Sequence, residues 1–317
     1  MKMNYEISAH TCLKSFVDDY SKENKITGDK YQVFSEEKMR EELDMMQELG
    51  IKWFNTSANN DVYSDNEDDK IMADKLYEYL KENENIKLSS LHYIGSVFEL
   101  DEEKTKDIRE QMKRVLMLFA KCEPKTIVIH PGTFGEGGFK HNLPNYQKAV
   151  EVYGERKVKE MVADNIRYLG KLASEYGIKI AVENIYKGRI YSKIPELIEL
   201  VDMINLDNVG FCLDIGHANY DEVNIPETIK LMGDKLFELH LSDNLGDRDG
   251  HLPLGFGNIN WIEVCQILDE VNYEGRATFE FFGWPGYDRK KGLELSVDMW
   301  NTIQKIASDG YSYFDFL

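Results

Sequence analysis

Short apolar runs with strand character alternate with amphipathic helical stretches eight times along this chain, and few folds accommodate that rhythm. The strand-like runs cover residues 5–10, 51–55, 86–92, 126–130, 178–183, 209–214, 236–241 and 276–281. Ser35 is placed to cap the first long helix, and Glu36 and Glu37 sit in its first turn, where the helix dipole favours acids. Met39, Leu43 and Met46 follow at helical spacing, and Gly50 closes the helix. Further helices are expected over about 71–81, 105–120, 155–176, 195–204, 226–232, 260–271 and 292–307. Repeated strand–helix units over 317 residues predict an α/β fold, a single (β/α)8 TIM barrel. The alternative is a doubly wound open sheet. Such a sheet usually carries a glycine-rich phosphate turn after its first strand, and Ser8-Ala-His-Thr-Cys12 supplies none. No low-complexity linker or break in composition divides the chain, so residues 1–317 read as one domain. The glycine-rich stretch 132–155 is expected to form a long flap loop over the barrel mouth.

Composition narrows the function classes. Acidic residues outnumber basic ones 57 to 38, a net charge of −19, which argues against nucleic acid as a partner because Lys and Arg must neutralise its phosphates. No apolar run approaches the roughly 20 residues that span a bilayer, and the first residues lack the apolar core of a secretory signal. The four cysteines (Cys12, Cys122, Cys212, Cys265) form no Cys-x-x-Cys pair and read as reduced thiols. The expected compartment is therefore the cytoplasm, and a homo-oligomer is compatible with the sequence.

The chemistry concentrates at strand ends. Barrel strands alternate between interior and helix layer, so every second residue points inward. With Ile127, Ile129, Ile180, Val182, Phe211, Leu213, Phe237, Leu239, Leu241, Ala277 and Phe279 facing the helices, the inward set includes His130, Glu183, Asp214, His240 and Glu280. These lie at or near the C-terminal ends of five successive strands, where barrel active sites are built. Carboxylates buried together repel one another unless a cation or protons are shared among them. Three carboxylates and one imidazole favour Mn²⁺, Mg²⁺ or Co²⁺, with Zn²⁺ as the alternative. Glu238 also points inward, but at the wrong end of its strand, and reads as part of a buried polar network. His10 and His141 read as ordinary strand-end and loop residues.

The motifs Ala181-Val-Glu-Asn184, Leu213-Asp-Ile-Gly-His217, Leu239-His-Leu-Ser-Asp243 and His251-Leu-Pro-Leu-Gly-Phe-Gly-Asn-Ile-Asn-Trp261 give the chain a likeness. It resembles the xylose isomerase-like barrel superfamily, which holds sugar isomerases and epimerases and the apurinic endonuclease IV branch. The resemblance to the epimerases implies one metal held by Glu183, Asp214, His240 and Glu280. It also implies Glu183 and Glu280 as the acid/base pair acting on a sugar, sugar phosphate or polyol through a metal-stabilised enediolate. His217 would hydrogen-bond a substrate oxygen. Trp53, Phe134, Trp284 and Tyr287 are expected near the mouth, where aromatic faces suit sugar C–H surfaces. Lys187, Arg189 and Arg248 would receive a phosphate or carboxylate.

The endonuclease branch implies a larger donor set of three zincs. Its counterparts here would be His92, His130, Glu183, Asp214, His217, His240, Asp249, His251 and Glu280. The sixth-strand motif departs from that branch, reading Asp-Ile-Gly-His rather than Asp-Thr-Cys-His. A barrel that binds a sugar without turning it over is the third reading.

Overall fold

A computed structural model describes residues 6–11, 17–23, 30–58, 67–99, 101–133, 142–281 and 288–310. The strands are β1 (Glu6–His10), β2 (Val17–Glu23), β3 (Lys30–Phe34), β4 (Trp53–Ala58), β5 (Lys87–Tyr93), β6 (Thr126–Ile129), β7 (Lys179–Glu183), β8 (Val209–Asp214), β9 (Leu236–Leu241) and β10 (Arg276–Phe279). Eight of them, β1 and β4 to β10, pair in parallel and close into a barrel, β10 meeting β1 with Ala277 opposite Ile7. The helices are α1 (Glu36–Glu48), α2 (Glu67–Glu82), α3 (Glu102–Phe119), α4 (Asn142–Tyr153), α5 (Glu155–Ser174), α6 (Ile194–Ile204), α7 (Ile215–Tyr220), α8 (Ile225–Met232), α9 (Trp261–Glu270) and α10 (Arg289–Ser308). Together they make the (β/α)8 barrel that the alternating pattern predicts.

The first helix forms as its sequence dictates. The Ser35 hydroxyl accepts the Lys38 amide as N-cap, and Met39, Leu43 and Met46 are its buried residues. Gly50 follows with φ +74°, a left-handed conformation that glycine adopts without strain.

Most of the alternation holds. Ile127, Ile129, Ile180, Val182, Phe211, Leu213, Leu239 and Leu241 join the large apolar core between sheet and helices. Val128, Ala181 and Cys212 form a separate small cluster inside the barrel. Phe237 belongs to this inner cluster, not to the outer layer expected for it. The reason is local. Phe211 lies opposite Leu236 but Cys212 lies opposite Glu238, so Phe237 is an extra residue in β9. Such a bulge lets two consecutive side chains, Phe237 and Glu238, turn to the same side.

Three elements have weak sequence signals. The β2–β3 hairpin is antiparallel and stands apart from the barrel. β2 shows no apolar alternation, and the Tyr31–Val33 alternation of β3 lies in a strand of only five residues. Within the stretch expected to be a flap loop, Asn142–Tyr153 form α4, and residues 134–141 lie outside the described set. The short α7 starts directly at the end of β8.

Candidate active site and metal centre

Each barrel strand delivers its last inward side chain to one mouth. Glu183 ends β7, Asp214 ends β8, His240 is the penultimate residue of β9, and Glu280 follows β10. All four are buried, and donor atoms from the four lie within 4.8 Å of one another. His240 Nδ1 stands 3.0 Å from Glu280 Oε2 and 3.3 Å from Glu183 Oε1. Asp214 divides its carboxylate. Its Oδ1 accepts the His217 amide at 2.7 Å as the N-cap of α7, while Oδ2 is buried with no hydrogen-bond partner among the described residues. A buried carboxylate oxygen left in that state marks a place where a cation or proton belongs.

The local sequence makes this geometry obligatory. Gly216, between Asp214 and His217, has no room for a side chain, since a Cβ there would stand 2.3 Å from Ser242 Oγ. Asn184 links β7 to β8 by accepting the Asp214 amide at 2.7 Å and donating to the Asp214 carbonyl at 3.0 Å.

Two further donor groups flank this quartet. On one side, His92 Nε2 and His130 Nε2 are 2.9 Å apart, and they lie 3.2 and 3.1 Å from Glu183 Oε2. On the other, His251 Nε2 lies 3.1 Å from Asp249 Oδ1, and His217 Nε2 lies 3.5 Å from Asp249 Oδ2. The Nδ1–H of His217 donates to the Asn184 carbonyl at 2.8 Å, and that of His251 donates to the Glu280 carbonyl at 3.0 Å. Donating one ring N–H to a backbone carbonyl orients each ring and leaves its other nitrogen toward the donor group, as in histidine metal ligands. Each flanking group is thus two histidines and one carboxylate.

Asp243 holds the loop that carries Asp249 and His251. Its Oδ2 accepts the Gly255 amide at 2.9 Å and the Trp261 indole N–H at 3.0 Å, and its Oδ1 accepts the Asn244 amide at 3.0 Å. A Cβ on Gly257 would stand 2.1 Å from that same Oδ1. The Leu-Pro-Leu-Gly-Phe-Gly run is therefore a loop folded around one buried carboxylate.

Electrostatics show what the site lacks without a cation. Burial raises the Glu183 carboxyl, but His240 and His130 beside it carry it well below the usual carboxylate range. Burial likewise opposes ionisation of Glu280, and His240 again outweighs it. Burial, with Glu280 and Glu183 nearby, pushes Asp214 up to about 7 despite His217. Burial disfavours the His217 and His251 cations, yet the carboxylates facing them win, and His251 is raised to about 9. Protons on these histidines thus balance the buried carboxylates, and a divalent cation would displace them. The donor set fits such an ion: oxygen-rich with one imidazole at the quartet.

Other expected site residues fall in different places. Trp53 opens β4, at the N-terminal end of the barrel opposite the site, where Arg276 stacks on it at 4.3 Å. The strand begins two residues later than its apolar run, which moves Trp53 away from the mouth. Lys187 donates to the Tyr220 carbonyl at 2.9 Å and stacks on that ring, so it closes the end of α7 rather than facing the site. Arg189 lies at the rim, donating to the Tyr186 hydroxyl at 2.8 Å, and the Tyr186 ring meets His217 edge-on at 5.2 Å. Arg248 is exposed. Phe134, His141, Trp284 and Tyr287 lie outside the described residues. Glu238 does sit in a buried polar network, accepting from Ser90 and Thr278.

His10, read from the sequence as an ordinary strand-end residue, is brought to the edge of the donor cluster. It is buried, and one of its ring nitrogens lies within 4.8 Å of donor atoms on His92 and Glu280. Burial lowers it to about 4, so the ring is neutral at ordinary pH. The available signal was its place at the C-terminal end of the first barrel strand.

A closed parallel barrel with a buried carboxylate–histidine cluster at its C-terminal mouth defines a TIM barrel whose mouth groups side chains that could hold a metal ion. The chain belongs to the xylose isomerase-like TIM barrel family, whose model it matches over residues 43–303. It is 29% identical over 202 residues to a D-psicose 3-epimerase of Enterocloster bolteae, a match spanning 63% of this chain and 64% of that relative, just under two thirds of its length. It is 28% identical to an inosose isomerase of Halalkalibacterium halodurans over 75% of this chain and 86% of that one. A D-psicose 3-epimerase of Clostridium cellulolyticum, solved with D-tagatose, superposes with a TM-score of 0.70 at 14% identity, covering 94% of this chain and 99% of that one, and shares the fold. Among the described residues no helix is long and apolar enough to cross a membrane.

Proposed function

We propose that the protein is a divalent-metal-dependent isomerase or epimerase acting on a sugar, sugar phosphate or polyol ketone. The observation that carries this reading is that Glu183 and Glu280, both buried, each bring a carboxylate oxygen within 3.3 Å of His240 Nδ1, which with its neighbours favours their ionised forms. A divalent ion held by Glu183, Asp214, His240 and Glu280 would polarise a ketone and its neighbouring hydroxyl, acidifying the C–H between them. One glutamate takes that proton and leaves an enediolate. The other glutamate, or the same one, returns a proton, and the face it uses decides between epimerisation and simple exchange. Burial of the site excludes bulk water from the carbanion while it lasts. The Tyr186–Arg189 pair at the rim is placed to receive an anionic group on the substrate.

A second reading has one specific observation in its favour. The His92–His130–Glu183 and His217–Asp249–His251 groups give the site three cation positions, as a phosphodiesterase would use. The net charge of −19 disfavours a DNA substrate. Elemental analysis of chelator-free protein, paired with a ketose screen and an abasic-site DNA assay, tests the two. Ketose turnover without DNA incision supports the isomerase. About three zincs per chain with incision and no ketose turnover contradicts it.

A further inference from the structure

The N-terminal end of the barrel, opposite the mouth, carries basic charge that the proposed chemistry does not use. Lys87 opens β5, Lys125 directly precedes β6 and Lys179 opens β7, so three neighbouring strands start on a lysine. Paired strands lie about 4.8 Å apart, and the Lys179 amide donates to the Lys125 carbonyl at 3.0 Å. Like charges on adjacent strands repel. In a chain with 57 acids to 38 bases, this grouping runs against the overall balance.

Lys87 and Lys125 both line a cavity of about 670 Å³. It lies between the starts of β4 and β5, the C-terminal end of α2 and the residues that lead into β6. Its size falls within the roughly 300–1,000 Å³ of small-molecule sites. Two more lysines line it, and each has a structural task. Lys81 sits in the last turn of α2, where a cation suits the helix dipole, and Lys121 pairs with Asp74. Their ammonium groups lie 5.6 and 5.8 Å from the centre of the Tyr77 ring, and Lys87 lies 5.8 Å from that of Trp53. Aromatic faces at that range hold the ammonium ends beside the cavity. Glu84 and Glu123 also line it, but neither forms an ion pair with these lysines. Lys87 and Lys125 have no ion-pair partner among the described residues.

We infer that this cavity is a binding site for a small phosphorylated anion with at least two charged groups, held chiefly by Lys87 and Lys125. Four ammonium groups against two carboxylates leave the lining positive in a chain of net charge −19. An ammonium is a compact charge with three donors, which suits phosphate oxygens. The volume takes a metabolite, and the acidic balance of the chain repels a long polyanion such as nucleic acid. The site uses no residue of the mouth and stands independently of the ketose reading.

The test is isothermal titration calorimetry of the full-length, metal-loaded protein at physiological ionic strength, with 2,3-bisphosphoglycerate as the probe. The expected result is one saturable site per chain that weakens as salt is added. The double variant Lys87→Gln/Lys125→Gln is expected to bind about tenfold more weakly, with circular dichroism and metal content unchanged. Lys157→Gln/Lys193→Gln removes the same charge from positions 57% and 78% exposed, outside the cavity, and is expected to bind as wild type. Absence of saturable binding would overturn the inference. So would undiminished binding in Lys87→Gln/Lys125→Gln, which would put the probe elsewhere, such as at the mouth. Equal weakening in both double variants would also overturn it, leaving only an effect of net charge.

Discussion

The backbone amide of His217 donates to Asp214 Oδ1 at 2.7 Å, so one aspartate both caps α7 and supplies its second oxygen to the donor cluster. Asp214→Asn retains an oxygen for the cap and removes the charge. It is expected to fold with near wild-type stability and to lose most of its metal affinity. Asp214→Ala also removes the cap, at a further cost of about 1 kcal/mol in unfolding experiments. Equal metal uptake by Asp214→Asn and wild type would remove Asp214 from the donor set.

Glu183→Gln and Glu280→Gln keep the size of each side chain and remove its basicity. Each is expected to lower kcat by about 10²–10⁴-fold, the usual loss for a proton-transfer group. Circular dichroism should remain native in both. Steady-state assays on the metal-loaded variants check this.

His251 is raised from 6.5 to about 9, burial opposing and the neighbouring Asp249 carboxylate overcoming it. A folded value above the unfolded one stabilises fully below about 6.5, and that stabilisation is lost as pH rises through about 9. The Tm of metal-free protein should therefore fall between these limits, and added divalent ion should flatten the slope. Thermal scans across that range, with Asp249→Asn as the variant lacking the partner, test the sign.

Asp243 accepts three amides and an indole N–H around the loop bearing Asp249 and His251. Asp243→Ala leaves those donors buried without an acceptor, with an expected destabilisation of about 1–3 kcal/mol. Cation binding by the His217–Asp249–His251 group should weaken more than binding at the quartet. Denaturant unfolding and metal titration separate the two effects.

Much of this architecture is legible in the sequence because its signals are local. The caps, the helical spacing of Met39, Leu43 and Met46, and the period-two alternation of β7 and β8 depend on a few neighbouring residues. The quartet is legible for the same reason, each member lying at or next to the end of an alternating run. Phe237 turned inward because a bulge is set by pairing with β8, which no single strand records. Trp53 was displaced by a two-residue shift in the start of β4, enough to move a side chain to the other end of the barrel. Lys187 is committed to a helix end that the sequence did not announce, since α7 is only one and a half turns long. His10 stayed hidden because the residues it meets, Asn55, His92 and Glu280, lie 45, 82 and 270 positions away.

The most direct test of the central claim is deuterium incorporation at the carbon beside the ketone, measured by NMR on D-psicose in D₂O with metal-loaded protein. The account predicts exchange at that carbon which stops on chelation and in Glu183→Gln and Glu280→Gln. Product formed without solvent deuterium, or exchange undiminished in both variants, would contradict proton transfer by these two glutamates.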